Sequence, residues 1–353
     1  MNYEIVDNMA LKLEVPPDAL LKITSQIEKS EALSSNEVLV YWGQQELEQL
    51  TSILDDYFPS MQIARPPSPI LRDYTWPGIY TPFEHQKTTS AFLSARPRAH
   101  CFNEQGTAKT GSAIWAADYL MNEGFVNRVL VVCPISIMYT AWQADIFRTA
   151  MHRSVGIAYG DRLKRKKVLD ANYDFTIINY DGLISVHEEI KAAGFNLIIV
   201  DEASHVKNPQ TNRWKALAKL VTPTTRLWLM TGTPAAQSPV DAYGLAKLVA
   251  PHRVPKFMTG WKYQVMTQRS RFRWEPKPTA KGDVYAALQP AIRFTKKECL
   301  DLPELLYQTR DVPLSPQAAA YYKKLKTELL IETVGEEISA VNAAAAMLSL
   351  IHI

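Results

Sequence analysis

His100-Cys101-Phe102-Asn103-Glu104-Gln105-Gly106-Thr107-Ala108-Lys109-Thr110 reads as a short apolar strand running into a polar, glycine-bearing loop. The loop then opens a helical stretch, Gly111–Met121. Strand, loop and helix N-terminus in that order turn backbone N–H groups toward one point, and the helix dipole favours an anion there. Lys109 adds a flexible positive charge and Thr110 a hydroxyl, the side chains a polyphosphate and its cation need. Asn103 and Ala108 stand where the pattern G-x-x-x-x-G-K-[ST] has glycine, so Gly106 is the one glycine before the lysine. A chance loop of glycine, lysine and threonine looks the same, and a second element has to decide.

That element is Leu197-Ile198-Ile199-Val200-Asp201-Glu202, an apolar strand that delivers two carboxylates at its C-terminal end. Splitting a phosphoanhydride needs one acid to hold a metal and another to orient and deprotonate water, and adjacent residues place both beside the phosphates. A surface acidic turn carries the same dipeptide, but here it follows a phosphate loop in the expected order. Further apolar runs lie at Arg128–Cys133, Ser154–Tyr159, Phe175–Asn179 and Leu227–Met230, with helical segments between them. Continuous runs suit strands buried on both faces, and this alternation predicts βαβ units with right-handed crossovers.

Asp201-Glu202-Ala203-Ser204-His205-Val206-Lys207-Asn208 resembles the DEAH-x-[IK]KN box of Swi/Snf-like ATPases in helicase superfamily two. Met230-Thr231-Gly232-Thr233-Pro234 resembles their TGTP motif, continued by Asp241 and Leu245. Val131 to Ser136 with Trp142, Ile177-Ile178-Asn179-Tyr180, and Ile292 to Pro303 are similar to three further motifs, so the likeness spans roughly 80–353. It implies an α/β fold: a P-loop, RecA-like parallel sheet flanked by helices, with a small α+β N-terminal domain and a helical C-terminal extension. The Trp- and Arg-rich segment 261–274 points to phage-encoded or annealing-helicase-like branches.

The resemblance implies roles. ATP and Mg²⁺ are the expected cofactors, with Gly106, Thr107, Ala108 and Lys109 cradling phosphate. Thr110 and Asp201 would hold the metal, and Glu202 would activate water. Gln86 would read the adenine edge with Tyr80 or Phe83 stacking nearby; otherwise it is an exposed residue at a helix start. Thr231 and Thr233 would couple ATP to DNA-contacting loops, or satisfy local backbone groups. Ser136 would offer a DNA phosphate contact, or cap a helix. Ser204 replaces the family's histidine, and His205 lies one position out of register. Ala108 is expected to keep a helical φ and leave phosphate binding intact.

The organisation reads as an accessory domain over 1–63, a proline-rich linker over 64–79, the ATP-binding lobe over 80–251, and a basic, aromatic and helical region over 252–353. Within 1–63, Asp18–Ile27 is amphipathic, Val38–Trp42 strand-like, and Leu47, Leu50, Ile53 and Leu54 helically spaced. Near the end, helices are expected over Ser315–Ile331 and Glu336–Ile353. No second βαβ series follows residue 303, and the apolar ending at Ile353 reads as a place where more protein belongs. Expected partners are duplex or branched DNA and a second RecA-like lobe, in cis or in trans.

Net charge is +3 over 353 residues, so any nucleic-acid partner must be met by local clusters. Arg162–Lys167 reads as a solvated helix face. Lys262, Arg269, Arg271 and Arg273, threaded with aromatics, suit backbone contact and base stacking, or a subdomain whose aromatics pack inward. Cys101, Cys133 and Cys299 lack metal spacing and suit a reducing compartment, with cytoplasmic location and no membrane segment expected. Two other readings share these motifs: a restriction or repair motor subunit, and a non-catalytic, nucleotide-gated DNA-binding module.

Overall fold

The computed structural model describes residues 2–57, 65–235, 237–270, 273–299, 308–310, 313–328, 330–333 and 336–339. Contacts divide the chain into two units, Met1–Asp301 and Leu302–Ile353.

The first unit begins with strands β1 (Tyr3–Val6), β2 (Ala10–Glu14), β3 (Ser30–Ala32) and β4 (Glu37–Tyr41), an antiparallel sheet of order β1-β2-β4-β3. Alternation puts Leu11, Leu13, Val38 and Val40 wholly inside. The helices Pro17–Gln26 and Gln44–Tyr57 share that core through Ile23, Leu47, Leu50 and Leu54. Strands β1, β2 and β3 were not legible in sequence. The first two are joined through Asp7 and Asn8, both left-handed, a conformation short polar side chains tolerate.

Residues 65–79 hold one helical turn, Ile70–Asp73, and otherwise irregular chain with positive φ at Trp76 and Gly78, and lie against the molecule. Carbonyls of Pro67 and Pro77 accept the indole N–H of Trp42 and Trp115. Ion pairs Arg96–Asp55 (3.0 Å) and Arg226–Glu48 (2.8 Å) join the N-terminal helix Gln44–Tyr57 to the start of the next strands.

Those strands are β5 (Arg98–Cys101), β6 (Val129–Cys133), β7 (Val155–Ala158), β8 (Phe175–Asn179), β9 (Leu197–Asp201) and β10 (Arg226–Met230). After a small antiparallel pair, β11 (Met266–Gln268) and β12 (Trp274–Pro276), comes β13 (Ala291–Ile292). The large sheet is parallel, in the order β13-β5-β10-β9-β6-β8-β7. Every residue of β6, β8, β9 and β10 is buried, because helices and loops cover both faces with separate apolar cores. The seventh strand, β13, escaped the sequence pattern: two residues are too short to show a period.

The second unit holds the helix Pro316–Glu328 and an antiparallel pair, β14 (Leu330–Thr333) with β15 (Glu336–Ser339). The helix expected from Glu336 is therefore a strand at its start. β-Branched Ile331, Thr333 and Ile338 favour the extended form over a helix. The rest of that expected helix, 340–353, lies outside the described residues.

Candidate functional site

The C-terminal ends of β5 and β9 face one opening, where open parallel sheets bind ligands. From β5 the chain enters the loop through Asn103, which is wholly buried. Its amide donates to Thr89 Oγ1 (2.9 Å), and its carbonyl oxygen accepts the Phe294 N–H (3.0 Å). The residue that breaks the glycine pattern thus ties the loop to the helix Glu84–Ser94 and to the chain beyond β13. β13 and that outgoing segment run along the loop, with Phe102 N–H on Ile292 O and Glu104 N–H on Phe294 O. Gly106 has φ +85°, and a Cβ there would lie 3.2 Å from Lys296 Cε.

The helix Lys109–Asn122 starts earlier than expected, and Ala108 before it is left-handed, φ 54° and ψ 39°. The expectation of a helical φ at Ala108 is therefore corrected. The loop must reverse to present its amides, and glycine is the residue that does so without strain. Thr107 is turned inward, its hydroxyl on Glu104 O (2.8 Å) and its carbonyl bonded to the His85 ring (3.0 Å). Lys109 and Thr110 are half-buried at the mouth.

At the end of β9, Asp201 is 4% exposed. Its Oδ2 accepts the Trp142 indole N–H (2.9 Å) and its Oδ1 accepts the Glu202 amide (3.0 Å). Burial raises its pKa, opposed by the charge of Lys109 and by the Trp142 bond. Glu202 is left-handed at φ 53°, which turns its carboxylate to the loop, where Gln105 Nε2 lies 3.4 Å away. The Tyr180 hydroxyl donates to Asp201 O (2.6 Å) and Glu202 O (3.0 Å), and its burial beside these carboxylates raises its pKa.

Gln86 is 5% exposed. Its Oε1 accepts the Phe83 N–H (3.0 Å) and its Nε2 donates to Ala108 O (3.3 Å), joining a helix start to the loop. It lines a cavity of about 290 Å³ with Tyr80, Phe83, Ala108, Gly111, Trp115 and Thr149. The lining is mostly apolar and opens beside the loop, with Tyr80 and Phe83 both exposed.

Thr231 is wholly buried, and its Oγ1 accepts the Thr233 N–H (3.3 Å), while Thr233 itself is exposed. Gly232 packs on the loop: a Cβ there would meet Gln105 N at 3.5 Å. Lys207 bonds Asp241 Oδ2 (2.8 Å), clamping the two motifs together. Ser136 sits exposed in the 3₁₀ turn Ile135–Ile137 and makes no capping bond.

Loop, acidic pair and Thr231 converge; Ser136 lies beyond β6, and Arg273 lies on the β11–β12 pair. Arg273 (2.8 Å) and Arg269 (2.9 Å) both bind Glu275, and Lys262 lies 3.9 Å over the Trp274 ring. Arg271 lies outside the described residues. In the run Arg162–Lys167, Arg162 pairs with Glu189 and Lys166 with Asp170, whereas Arg165 is buried on Asn179 Oδ1 (2.8 Å). Asn103, Gln105 and Tyr180 emerged as site-forming only in three dimensions; their spacing to a motif was visible, their contacts were not.

A profile of the SNF2-related domain family matches residues 85–352. The Xenopus laevis SWI/SNF-related matrix-associated actin-dependent regulator of chromatin subfamily A-like protein 1 is 31% identical over 183 residues, 51% of this chain and 18% of that protein. The putative ATP-dependent helicase/translocase YwqA of Bacillus subtilis is 25% identical over 203 residues, 56% of this chain and 21% of its own. The chain thus spans about a fifth of the length of these relatives. In fold it is similar to the Sulfolobus solfataricus SWI2/SNF2 ATPase core solved in complex with dsDNA. That match has TM-score 0.55 and 19% identity over 78% of this chain and 58% of that one.

Proposed function

The chain belongs to the SNF2-related family, and from that premise we propose that it is the first, ATP-binding motor lobe of a DNA translocase acting on duplex or branched DNA. The observation that carries the reading is the meeting of Lys109 and Thr110, after β5, with Asp201 and Glu202, at the end of β9 across β10, with Glu202 3.4 Å from the loop's Gln105. Lys109 would neutralise the β- and γ-phosphates, and loop amides from Gly106 to Thr110 would cradle them. Thr110 and Asp201 would hold Mg²⁺, which when bound supplies charge neutralisation for the departing phosphate. Glu202 accepts the proton of the attacking water. The apolar cavity at Gln86 takes the adenine.

For DNA, the reading uses the exposed Ser136, the Thr231–Thr233 turn against the loop, and the basic pair at Arg271 and Arg273. Its support is the family and the fold shared with a core solved on duplex DNA. The Trp- and Arg-rich segment 261–274 favours a phage or annealing-helicase-like branch with work in replication, recombination or repair. Residues 1–63 serve as an accessory domain. A second RecA-like lobe, in cis or in trans, supplies the opposite wall and the arginines that stabilise the transition state.

The test is phosphate release by the chain with and without duplex DNA, beside Lys109→Ala. The reading expects slow release that rises when a second lobe is supplied and disappears in the variant. Full motor turnover from these 353 residues alone overturns the half-site claim. DNA binding indifferent to ATP in both proteins favours a passive module instead.

A further inference from the structure

Trp42, Trp115, Trp214, Trp228 and Trp261 each donate their indole N–H to a main-chain carbonyl. This is how buried tryptophans in this fold satisfy their polar atom while filling the core. Trp142 is as fully buried as Trp228 and Trp261, yet its N–H goes to a carboxylate, Asp201 Oδ2, at 2.9 Å. Trp142 stands on the π-helical turn Met138–Gln143, whose wider winding changes the phase of the side chains that follow Met138. Met138 and Trp142 both point inward there, while Tyr139 is exposed.

With the Glu202 amide on Oδ1, the indole completes two fixed donors on two oxygens. Together they set the plane of the carboxylate, and each oxygen keeps a free lone pair. A core-filling role explains the ring but not the direction of its N–H.

We propose that Trp142 is the positioning residue that aims Asp201 at the nucleotide's metal, a role resting on the metal assignment above. Groups that orient a ligating carboxylate typically change metal affinity by about 10- to 100-fold when removed.

The test measures binding of a fluorescent ATP analogue in Mg²⁺ and in EDTA, the ratio giving the affinity that metal adds. Trp142→Phe removes the donor, and β-(3-benzothienyl)alanine at position 142 removes it while keeping the ring volume, should the phenylalanine variant fail to fold. Both are expected to lose most of the Mg²⁺-dependent gain, by about tenfold or more, with affinity in EDTA unchanged. Asp201→Asn run alongside is expected to lose the gain as well. If Asp201→Asn loses it and the benzothienyl protein keeps it, Trp142 only fills space and the proposal is overturned. If Asp201→Asn keeps the gain, the metal assignment itself fails and takes the proposal with it.

Discussion

The phosphate loop and the acidic strand end meet at the C-terminal end of one sheet, and each contains a non-glycine residue in the left-handed region. Ala108 has φ 54° and Glu202 φ 53°. A side chain held there costs about 1–2 kcal/mol. The two are braced differently. Around the loop the bonds hold main-chain groups: Gln86 holds Ala108 O, His85 holds Thr107 O, and β13 with the segment after it bonds Phe102 and Glu104. At the strand end the Tyr180 hydroxyl likewise holds two carbonyls, but the Trp142 indole grips the Asp201 carboxylate itself. Ala108 is exposed and its methyl carries no acid or base, so its strain is separable from chemistry. The strain at Glu202 aims the carboxylate itself.

The sharpest way to separate the two sides is Glu202→Gln. Loss of a general base lowers phosphate release by about 10²–10⁴-fold, while ATP affinity holds. Single-turnover release and equilibrium binding read these separately, and equal losses in both would break the division of labour. On the loop's own strand, His100 is wholly buried with both ring nitrogens unbonded, and burial pushes its pKa down to about 4. The unfolded chain takes up this proton near 6.5 and the folded one does not. Stability is then full above that pH and falls as pH drops toward 4, each unit being worth about 1.4 kcal/mol. Urea unfolding across this range measures it, and His100→Phe should flatten the slope.

Tyr180→Phe tests the bracing at the strand end: it removes the hydroxyl donor from the buried Asp201 carbonyl, while Glu202 O keeps the His205 N–H, and should lower stability by about 1–3 kcal/mol. The effect on hydrolysis should exceed that of any comparably destabilising loop change. The smallest effect is Ala108→Gly, expected to raise stability by up to about 1 kcal/mol, since relief of the left-handed strain is partly offset by glycine's entropy. Nucleotide affinity should hold or improve. A loss of stability there would mean the methyl is packed after all.

The large sheet was legible because strands covered on both faces leave unbroken apolar runs, as in Phe175–Asn179 and Leu197–Val200. Asp201, Glu202 and Lys109 were legible because strand ends and a helix start are local features. What was not legible depends on contacts distant in sequence. Asn103 read as a missing glycine and is a tie between Thr89 and Phe294. Ala108 read as tolerable in a helical φ and is left-handed, since propensity says nothing of how a loop must reverse. Arg165 read as one of a solvated run and is buried, admitted by Gly182, where a Cβ would fall 1.8 Å from its Nη1. Short β13 has too few residues to carry a pattern.

The most direct measurement is calorimetric titration of Mg²⁺–ATP into the chain and into Lys109→Ala, with melting temperatures matched. The account predicts measurable binding by the parent, and a loss of about tenfold or more in the variant, the worth of a charge-assisted bond to phosphate. Equal affinity in the two proteins would contradict it, because the loop would then not be where the nucleotide sits.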